Sequence, residues 1–320
     1  DRLMKTLKMV APGTVLYEGL EYILRARTGA LIVLGDSDRV LSLVNGGFKI
    51  DAELHPSALY ELAKMDGAII LSADGKRILY ANTQLTPDPA IPTLETGTRH
   101  RTAERVAKQT GELVVCISQR RNVVTLYKGN MKYSLRDISV ILAKANQALQ
   151  TLERYRSVLQ QALVNLSAME FEDLVTISDV CSVLQRAQMV DRVANEIEKY
   201  ICELGTEGRL VKMQLEELMG DIKDEGLLIM KDYVAKGVNV PAEELWRNLG
   251  EYSSEELLDL NTISRIMGYP HASNELDSSV TPRGFRILTK IPRLPMPVIE
   301  NLVAKLGYLP EILSASIEQL

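Results

Sequence analysis

Residue types that support metal or redox chemistry are scarce in this chain of 320 residues. It has three cysteines and three histidines, and none of them stands at the spacing of a zinc motif. Cys116, Cys181 and Cys202 each lie in an apolar, periodic setting. We therefore expect buried thiols in a reducing compartment, and we exclude a disulfide framework and a Cys/His metal site.

Long apolar runs and a signal peptide are also missing, so neither a membrane span nor secretion is expected. The Walker loop GxxxxGK[ST] is absent, which disfavours simple ATP hydrolysis. A net charge of −5 argues against a chain coated in nucleic acid but allows a local basic patch. With 46% hydrophobic and 25% charged residues, the composition predicts a soluble globular protein of two or three domains.

Strands and helices alternate at the start of the chain, which predicts an α/β domain over residues 1–137. Apolar strand-like runs at residues 30–34, 68–72 and 113–118 are separated by helical patterns. Asp74-Gly75 lies between two strand-like runs and predicts an ordinary hairpin turn.

Helical spacing takes over in a long stretch without proline, residues 93–240. Apolar residues from Ile138 to Leu166 predict one long helix, a second should end at Gly205, and a third is expected from Glu207 to Val234. The pattern is that of an all-helical spine domain, which we place at residues 138–285.

A helix predicted over residues 99–110 begins with positive charge. Gly111 should end it as the C-cap, and Thr98 stands where an N-cap belongs. Helix starts prefer acidic residues because their free N–H groups and dipole are positive, yet the first turn reads Arg99-His100-Arg101. A bound anion would resolve this conflict. A solvated basic helix start on the surface would explain it equally well.

Asp66-Gly67-Ala68 lies between an amphipathic helix and an apolar strand. A carboxylate beside a glycine at a strand edge can closely approach a metal or a phosphate. Asp-Gly pairs are also frequent in plain turns, and from these residues alone the turn is the stronger interpretation.

The tail, residues 286–320, consists of short helical patterns joined by Gly and Pro turns. This arrangement suggests the first half of a helix-hairpin-helix unit, which holds the DNA backbone through hairpin N–H groups and nearby cations. The candidate DNA-binding cations are Lys290, Arg293 and Lys305.

Two segments, KMDGAIILS and ETGTRHRTAERVAKQTG, together resemble the diadenylate cyclase domain. Over nearly its whole length the chain resembles the DNA-integrity scanning diadenylate cyclases of bacteria. The resemblance implies an α+β/α multidomain fold. Its parts would be an α/β cyclase domain with a central mixed sheet, an all-helical spine domain, and a partial helix-hairpin-helix domain.

The resemblance also implies a nucleotidyltransferase that condenses two ATP into cyclic di-AMP and two pyrophosphates. Because the product has two-fold symmetry, two active sites must face each other. The partners would be ATP, further copies of the chain (family members look octameric) and branched DNA, whose binding would slow synthesis. The setting would be the cytoplasm, at the nucleoid, in DNA damage and repair. The alternative is a DNA-binding scaffold that only senses ATP.

Site residues are carried over from the family's motifs. Asp66 would bind Mg²⁺ or Mn²⁺ and help activate the ribose 3′-hydroxyl. Gly67 and Ala68 would allow close backbone approach, and Leu85 would flank adenine. The phosphate-binding residues would be Thr98, Arg99, His100, Arg101, Thr102, Ser118 and Arg121, with Asp66, Arg99, His100 and Arg101 as the catalytic group.

The sequence departs from the family at its ends. The family's last domain continues into a second hairpin with a Gly-hydrophobic-Gly loop, whereas this sequence stops at Leu320 and begins at Asp1 rather than Met. We therefore expect either a shortened form or a disordered tail after Leu320; the cyclase site is complete, and DNA binding is in doubt.

Overall fold

The computed structural model describes residues 2–270 and 275–316; the last four residues of the predicted tail domain, 317–320, lie outside these ranges. The chain forms two compact units. Residues 1–145 and 199–210 form the first, and residues 146–198 and 211–320 form the second.

In the described part of the first unit, eight strands form one sheet in the order β2-β5-β4-β1-β6-β7-β8, with β3 also paired to β5. The strands are β1 Ala30–Leu34, β2 Val44–Asn45, β3 Phe48–Glu53, β4 Ala68–Leu71, β5 Arg77–Leu85, β6 Leu113–Ser118, β7 Val123–Lys128 and β8 Met131–Ser134. β1 and β4 are parallel, and the other pairs are antiparallel, so the predicted mixed sheet is confirmed.

Helices cover both faces of this sheet. They are α1 Arg2–Met9, α2 Val15–Arg25, α3 Asp38–Leu41, α4 Pro56–Ala63 and α5 Thr98–Thr110. On one face Ile32 packs with Leu20 of α2 and Leu59 of α4. On the other, Val33 packs with Val106 of α5. Because both faces are covered, the central strands read as continuous apolar runs.

Helices dominate the rest of the described chain, and the predicted helical domain is confirmed. They are α6 Ile138–Glu172, α7 Ile177–Leu204, α8 Arg209–Met219, α9 Glu225–Tyr233, α10 Ala242–Glu251, α11 Leu260–Ile266, α12 Phe285–Leu288, α13 Met296–Leu306 and α14 Leu309–Ser314. No helix within residues 2–270 and 275–316 is long and apolar enough to cross a membrane.

The third predicted helix, Glu207 to Val234, was wrong as a single element. It breaks between α8 and α9, at residues 220–224. Asp221 accepts hydrogen bonds there from Arg156 at 2.9 Å and Gln160 at 2.9 Å. Gly220 favours such a break, because glycine weakens a helix interior.

Two smaller expectations also need correction. The N-cap of α5 is Gly97 rather than Thr98: its backbone is extended, and its carbonyl accepts the first helical N–H, from Arg101, at 2.9 Å. Cys116 and Cys181 are buried as expected, but Cys202 is only half-buried. At the other end of α5, Gly111 adopts the left-handed conformation (φ 77°), as its predicted C-cap role requires.

The short helices α12, α13 and α14 share an apolar cluster that includes Leu288, Ile299, Val303 and Ile312. These contacts show how the C-terminal segment packs on itself. A helix-hairpin-helix architecture for residues 286–320 stays a prediction.

Candidate active site

Strand register places several predicted site residues at one edge of the sheet. Ala30, at the start of β1, pairs with Ile117 near the end of β6. β4 runs parallel to β1, so its start, which follows Asp66-Gly67, faces the same way. Ser118 is the last residue of β6. The start of β4 and the end of β6 therefore meet at the edge where β1 begins.

The opposite neighbour of β4 contributes its end to the same edge. Ala68 lies opposite Thr83 of antiparallel β5, so Leu85, two residues later, extends past the start of β4. Leu85 is only 8% exposed and belongs to the core cluster that contains Ala68. Its predicted contact with adenine is not tested by this packing.

Gly67 fits the chain closely against β5. Its φ is +105°, and a Cβ on it would lie 2.7 Å from the carbonyl oxygen of Thr83. The Thr83 hydroxyl also donates to the carbonyl of Ala68 at 3.0 Å. The backbone beside Asp66 is thereby fixed, and only glycine suits the position.

The Asp66 carboxylate is exposed, and it makes no hydrogen bond or ion pair with another described residue. In the ranges that the structure covers, no group of three His, Cys, Asp or Glu residues could hold a metal ion by itself. This donor set fits a divalent ion of the Mg²⁺ kind, which usually keeps several waters and binds one or two carboxylates together with substrate phosphates.

Helix α5 brings its cationic tip to the start of β1. The Arg99 guanidinium lies directly over Gly29, where a Cβ would stand 1.8 Å from Nη1. Gly29 is the residue before β1. It was not predicted as a site residue, because no local pattern shows that the Arg99 side chain, 70 positions later, packs on it. Arg99 is thus placed at the same sheet edge as Asp66-Gly67.

His100 belongs to a hydrogen-bond network of polar side chains behind the tip of α5. Its Nδ1 lies 2.9 Å from the Tyr127 hydroxyl, and that hydroxyl donates to the Glu95 carboxylate at 2.9 Å. Lys132 pairs with the same carboxylate at 2.5 Å. Neither Glu95 nor Tyr127 was predicted, because their link to His100 spans three separate segments.

Electrostatics around His100 follow from this packing. Burial lowers its pKa, the charge of Glu95 raises it, and the cations Lys132, Arg121 and Arg99 lower it again. Burial raises the pKa of Glu95, but hydrogen bonds from Lys132 and Tyr127 outweigh burial and hold it below its usual value. Glu95 is therefore a carboxylate near neutral pH.

The remaining predicted phosphate ligands lie in two places. Thr98 and Thr102 are joined within the first turn of α5, where the Thr102 hydroxyl donates to the Thr98 carbonyl at 3.0 Å, and Arg101 is exposed. Ser118 accepts the backbone N–H of Arg121 at 3.2 Å in the turn after β6. This turn follows the last residue of β6, at the sheet edge where β1 begins.

The loop between β5 and α5 is fixed by side chains of α5. Arg105 donates to the Ile91 carbonyl at 3.0 Å and Lys108 to the Pro92 carbonyl at 2.8 Å. Gln109 accepts the N–H of Asp88 at 2.9 Å. This loop carries Glu95, so these contacts also support the group around His100.

The predicted DNA-binding cations are dispersed over the C-terminal segment. Lys290 pairs with the buried carboxylate of Glu225. Arg293 is exposed with a left-handed backbone (φ 64°), and Lys305 lies in the last turn of α13. Their contact with DNA is not tested by these positions.

Comparison with known proteins identifies relatives of both parts of the chain. Residues 17–132 match the family model described as the DisA bacterial checkpoint controller nucleotide-binding domain, and residues 135–276 match that of the DisA linker region. The DNA integrity scanning protein DisA of Carboxydothermus hydrogenoformans is 60% identical over 320 residues, which cover 100% of this chain and 91% of that protein.

Two further relatives carry the same name. The protein of Symbiobacterium thermophilum is 59% identical over 316 residues, and that of Clostridium botulinum strain Loch Maree is 56% identical over 318 residues. Each alignment covers 99% of this chain and 89% of the relative.

Proposed function

This chain belongs to the DisA family of bacterial diadenylate cyclases, and we propose that it condenses two ATP into cyclic di-AMP across two facing active sites, one from each of two chains. The observation that carries the proposal is that an exposed carboxylate, Asp66, which has no partner among the described residues, meets the cationic start of α5 at one sheet edge. That arrangement suits a nucleotide triphosphate with its metal ion.

Asp66 would hold Mg²⁺ or Mn²⁺, which when bound neutralises phosphate charge and lowers the pKa of a coordinated hydroxyl. Arg99 and Arg101 would grip phosphate oxygens as guanidinium forks, and the free N–H groups of α5 would add donors. Thr98, Thr102, Ser118 and Arg121 would complete the phosphate-binding group.

The reaction needs positioning and charge neutralisation more than covalent help. In each half-reaction a ribose 3′-hydroxyl gives up its proton to water, and its oxygen forms a bond to the α-phosphorus of the other ATP. The bond to the β-phosphate bridging oxygen breaks, and pyrophosphate leaves with the electron pair. Gly67 and Ala68 would let the ribose approach the backbone, and Leu85 would lie beside adenine. Two such steps close the ring, so each site must present its ATP to the other.

DNA coupling is the second part of the proposal. Relatives are named for DNA integrity scanning. We place a cyclase domain at residues 1–137, a spine at 138–285 and the start of a DNA-binding domain at 286–320. Lys290, Arg293 and Lys305 would contact branched DNA in a cytoplasmic homo-oligomer, an octamer, that serves DNA repair. In a protein with the complete last domain, junction-like DNA should slow synthesis; equal rates with and without it would contradict the coupling.

Incubation with ATP and Mn²⁺ or Mg²⁺ tests the activity directly. Cyclic di-AMP and pyrophosphate should appear, and Asp66→Asn should abolish both. Asp74→Asn is the matched control: it changes the other Asp-Gly pair, in the β4–β5 hairpin at the opposite edge of the sheet, and should retain activity. ATP binding without turnover would favour the ATP-sensing scaffold, and release of ADP or AMP would indicate hydrolysis instead.

A further inference from the structure

The hydrogen bonds behind His100 determine where its proton lies. The Tyr127 hydroxyl has one hydrogen, and it is donated to Glu95, whose carboxylate can only accept. The contact of 2.9 Å between that hydroxyl and Nδ1 of His100 then requires a hydrogen on Nδ1. His100 is therefore either the Nδ1–H tautomer or the imidazolium, and in both forms Nδ1 is occupied.

The other edge of the imidazole ring faces the start of the helix. Cδ2, which is bonded to Nε2, lies 3.8 Å from where a Cβ on Gly97 would stand. Gly97 is the N-cap of α5, beside the free N–H groups of the first turn. Nε2 is thus the ring nitrogen available to an anion bound at this helix tip.

We propose that Tyr127 and Glu95 are positioning residues that keep the proton of His100 on Nδ1, so that Nε2 faces the triphosphate of ATP. This inference rests on the proposed function and extends it to two residues outside the family motifs. Neither residue needs to touch the nucleotide. They fix the orientation and the tautomer of His100, which would contact the nucleotide.

Charge around the ring explains how Nε2 would become a donor. The charged groups that influence His100 are Glu95 from the loop, Lys132 from β8, Arg121 from the β6–β7 turn and Arg99 from α5 itself. Without nucleotide, the three cations and burial favour the neutral ring. A triphosphate beside Nε2 reverses that balance, and one proton taken from water converts the ring to an imidazolium that donates to phosphate.

Nitrogen-15 labelled histidine gives a direct measurement, because the chain has only three histidines and His100→Gln identifies the relevant signals. In the free wild-type protein we expect Nδ1 of His100 to be protonated and Nε2 to be bare. Addition of Mg²⁺ and 3′-deoxy-ATP, which lacks the attacking hydroxyl, should protonate Nε2 while Nδ1 stays protonated.

Three variants separate positioning from general structure. Tyr127→Phe removes the acceptor, so the Nδ1–H signature should be lost and the KM for ATP should rise about three- to tenfold. Glu95→Gln keeps an acceptor for Tyr127 but removes the charge, so the tautomer should persist while the pKa of His100 falls. The rise of KM with pH should then begin at a lower pH than in the wild type. Tyr133→Phe removes a comparable hydroxyl, which is bonded to Glu203 at 2.6 Å. It should change neither the tautomer of His100 nor the KM for ATP.

An Nε2–H tautomer in the wild type, or a Tyr127→Phe spectrum identical to that of the wild type, would overturn the proposal. So would 3′-deoxy-ATP that binds without perturbing Nε2. The tautomer measurement needs no turnover. A protein with the expected tautomer that formed no cyclic di-AMP would refute the proposed cyclase site and not the arrangement of Tyr127 and Glu95.

Discussion

Single glycines set the geometry of the candidate site. One of them, Gly29, matters because it leaves room for the Arg99 guanidinium. A Cβ on Gly29 would meet the terminal nitrogen of the Arg99 side chain, which is flexible, and the φ of Gly29 is not left-handed. Gly29→Ala should therefore leave the thermal unfolding midpoint nearly unchanged. It should still displace the guanidinium and raise the KM for ATP about tenfold, the effect of losing one charge-assisted hydrogen bond.

The control for Gly29→Ala is Arg99→Lys, which keeps the charge but loses the planar fork and should weaken ATP binding similarly. If Gly29→Ala bound ATP like the wild type, the position of the Arg99 guanidinium over Gly29 would be unimportant for ATP binding. A large drop in thermal stability would contradict the account equally.

Gly67→Ala, unlike Gly29→Ala, should lower the free energy of unfolding, because the added Cβ would meet backbone rather than a flexible side chain. The left-handed φ alone should cost on the order of 1–2 kcal/mol, and the clash with Thr83 should add to that. Gly111→Ala is the matched control, with φ +77° and nothing within 4 Å of the added Cβ. Chemical denaturation should show a larger loss for Gly67→Ala, and equal losses would mean that the β5 contact is unimportant.

Local residue chemistry was predictable wherever one short segment decides it. Asp74-Gly75 forms the expected hairpin turn, and Gly111 ends α5 in the left-handed conformation. Glu95 and Tyr127 escaped prediction because their hydrogen bonds with His100 join residues far apart in sequence, and no local pattern encodes such a pairing.

At the scale of elements, the loop between β5 and α5 is held by the helix that follows it. Arg105→Gln removes a half-buried guanidinium whose Nε donates to the Ile91 carbonyl. Hydrogen exchange of the loop amides should become faster, and the KM for ATP should rise moderately because the same loop carries Glu95. Arg77→Gln, at an exposed pair with Asp51, is the control and should change neither. Unchanged loop exchange in Arg105→Gln would show that the loop does not depend on the hydrogen bond from Arg105.

Element prediction succeeded where periodicity was strong and failed where a distant partner intervened. The long helix α6 and the strands β1 and β6 were found from apolar spacing alone. The break between α8 and α9 was missed, because Asp221 is drawn to Arg156 and Gln160, about sixty positions earlier in the sequence. β8 was also missed. It has only four residues, which alternate in exposure, and it forms a strand because it pairs with β7.

At the scale of the whole chain, the second unit contains a buried charge cluster. Arg286 is 2% exposed; it pairs with Glu170 and lies 3.7 Å from Glu225. Removing one partner of a buried pair leaves an uncompensated charge, so Arg286→Met should destabilise this unit by about 3–5 kcal/mol. Lys212→Met, at an exposed pair with Glu216, is the control and should cost less than about 1 kcal/mol.

The loss in Arg286→Met should depend on pH. Burial already raises the pKa of Glu170, and Arg286 opposes that rise. Without Arg286 the folded-state pKa rises further above the unfolded value, so stability is retained at acidic pH and lost as the pH rises through the folded pKa. Denaturant titrations at acidic and alkaline pH should therefore differ more for the variant than for the wild type. A pH-independent loss would contradict an unpaired Glu170.

The most direct test of the central claim, that two chains must each offer a competent site, is the rate of cyclic di-AMP formation in mixtures of wild-type and Asp66→Asn protein. The two are refolded together so that subunits mix at random, at constant total concentration. If one product requires two competent sites facing each other, the rate should fall with the square of the wild-type fraction, to about a quarter in an equal mixture. A linear fall, to about a half, would mean that each chain completes the reaction alone and would contradict the account.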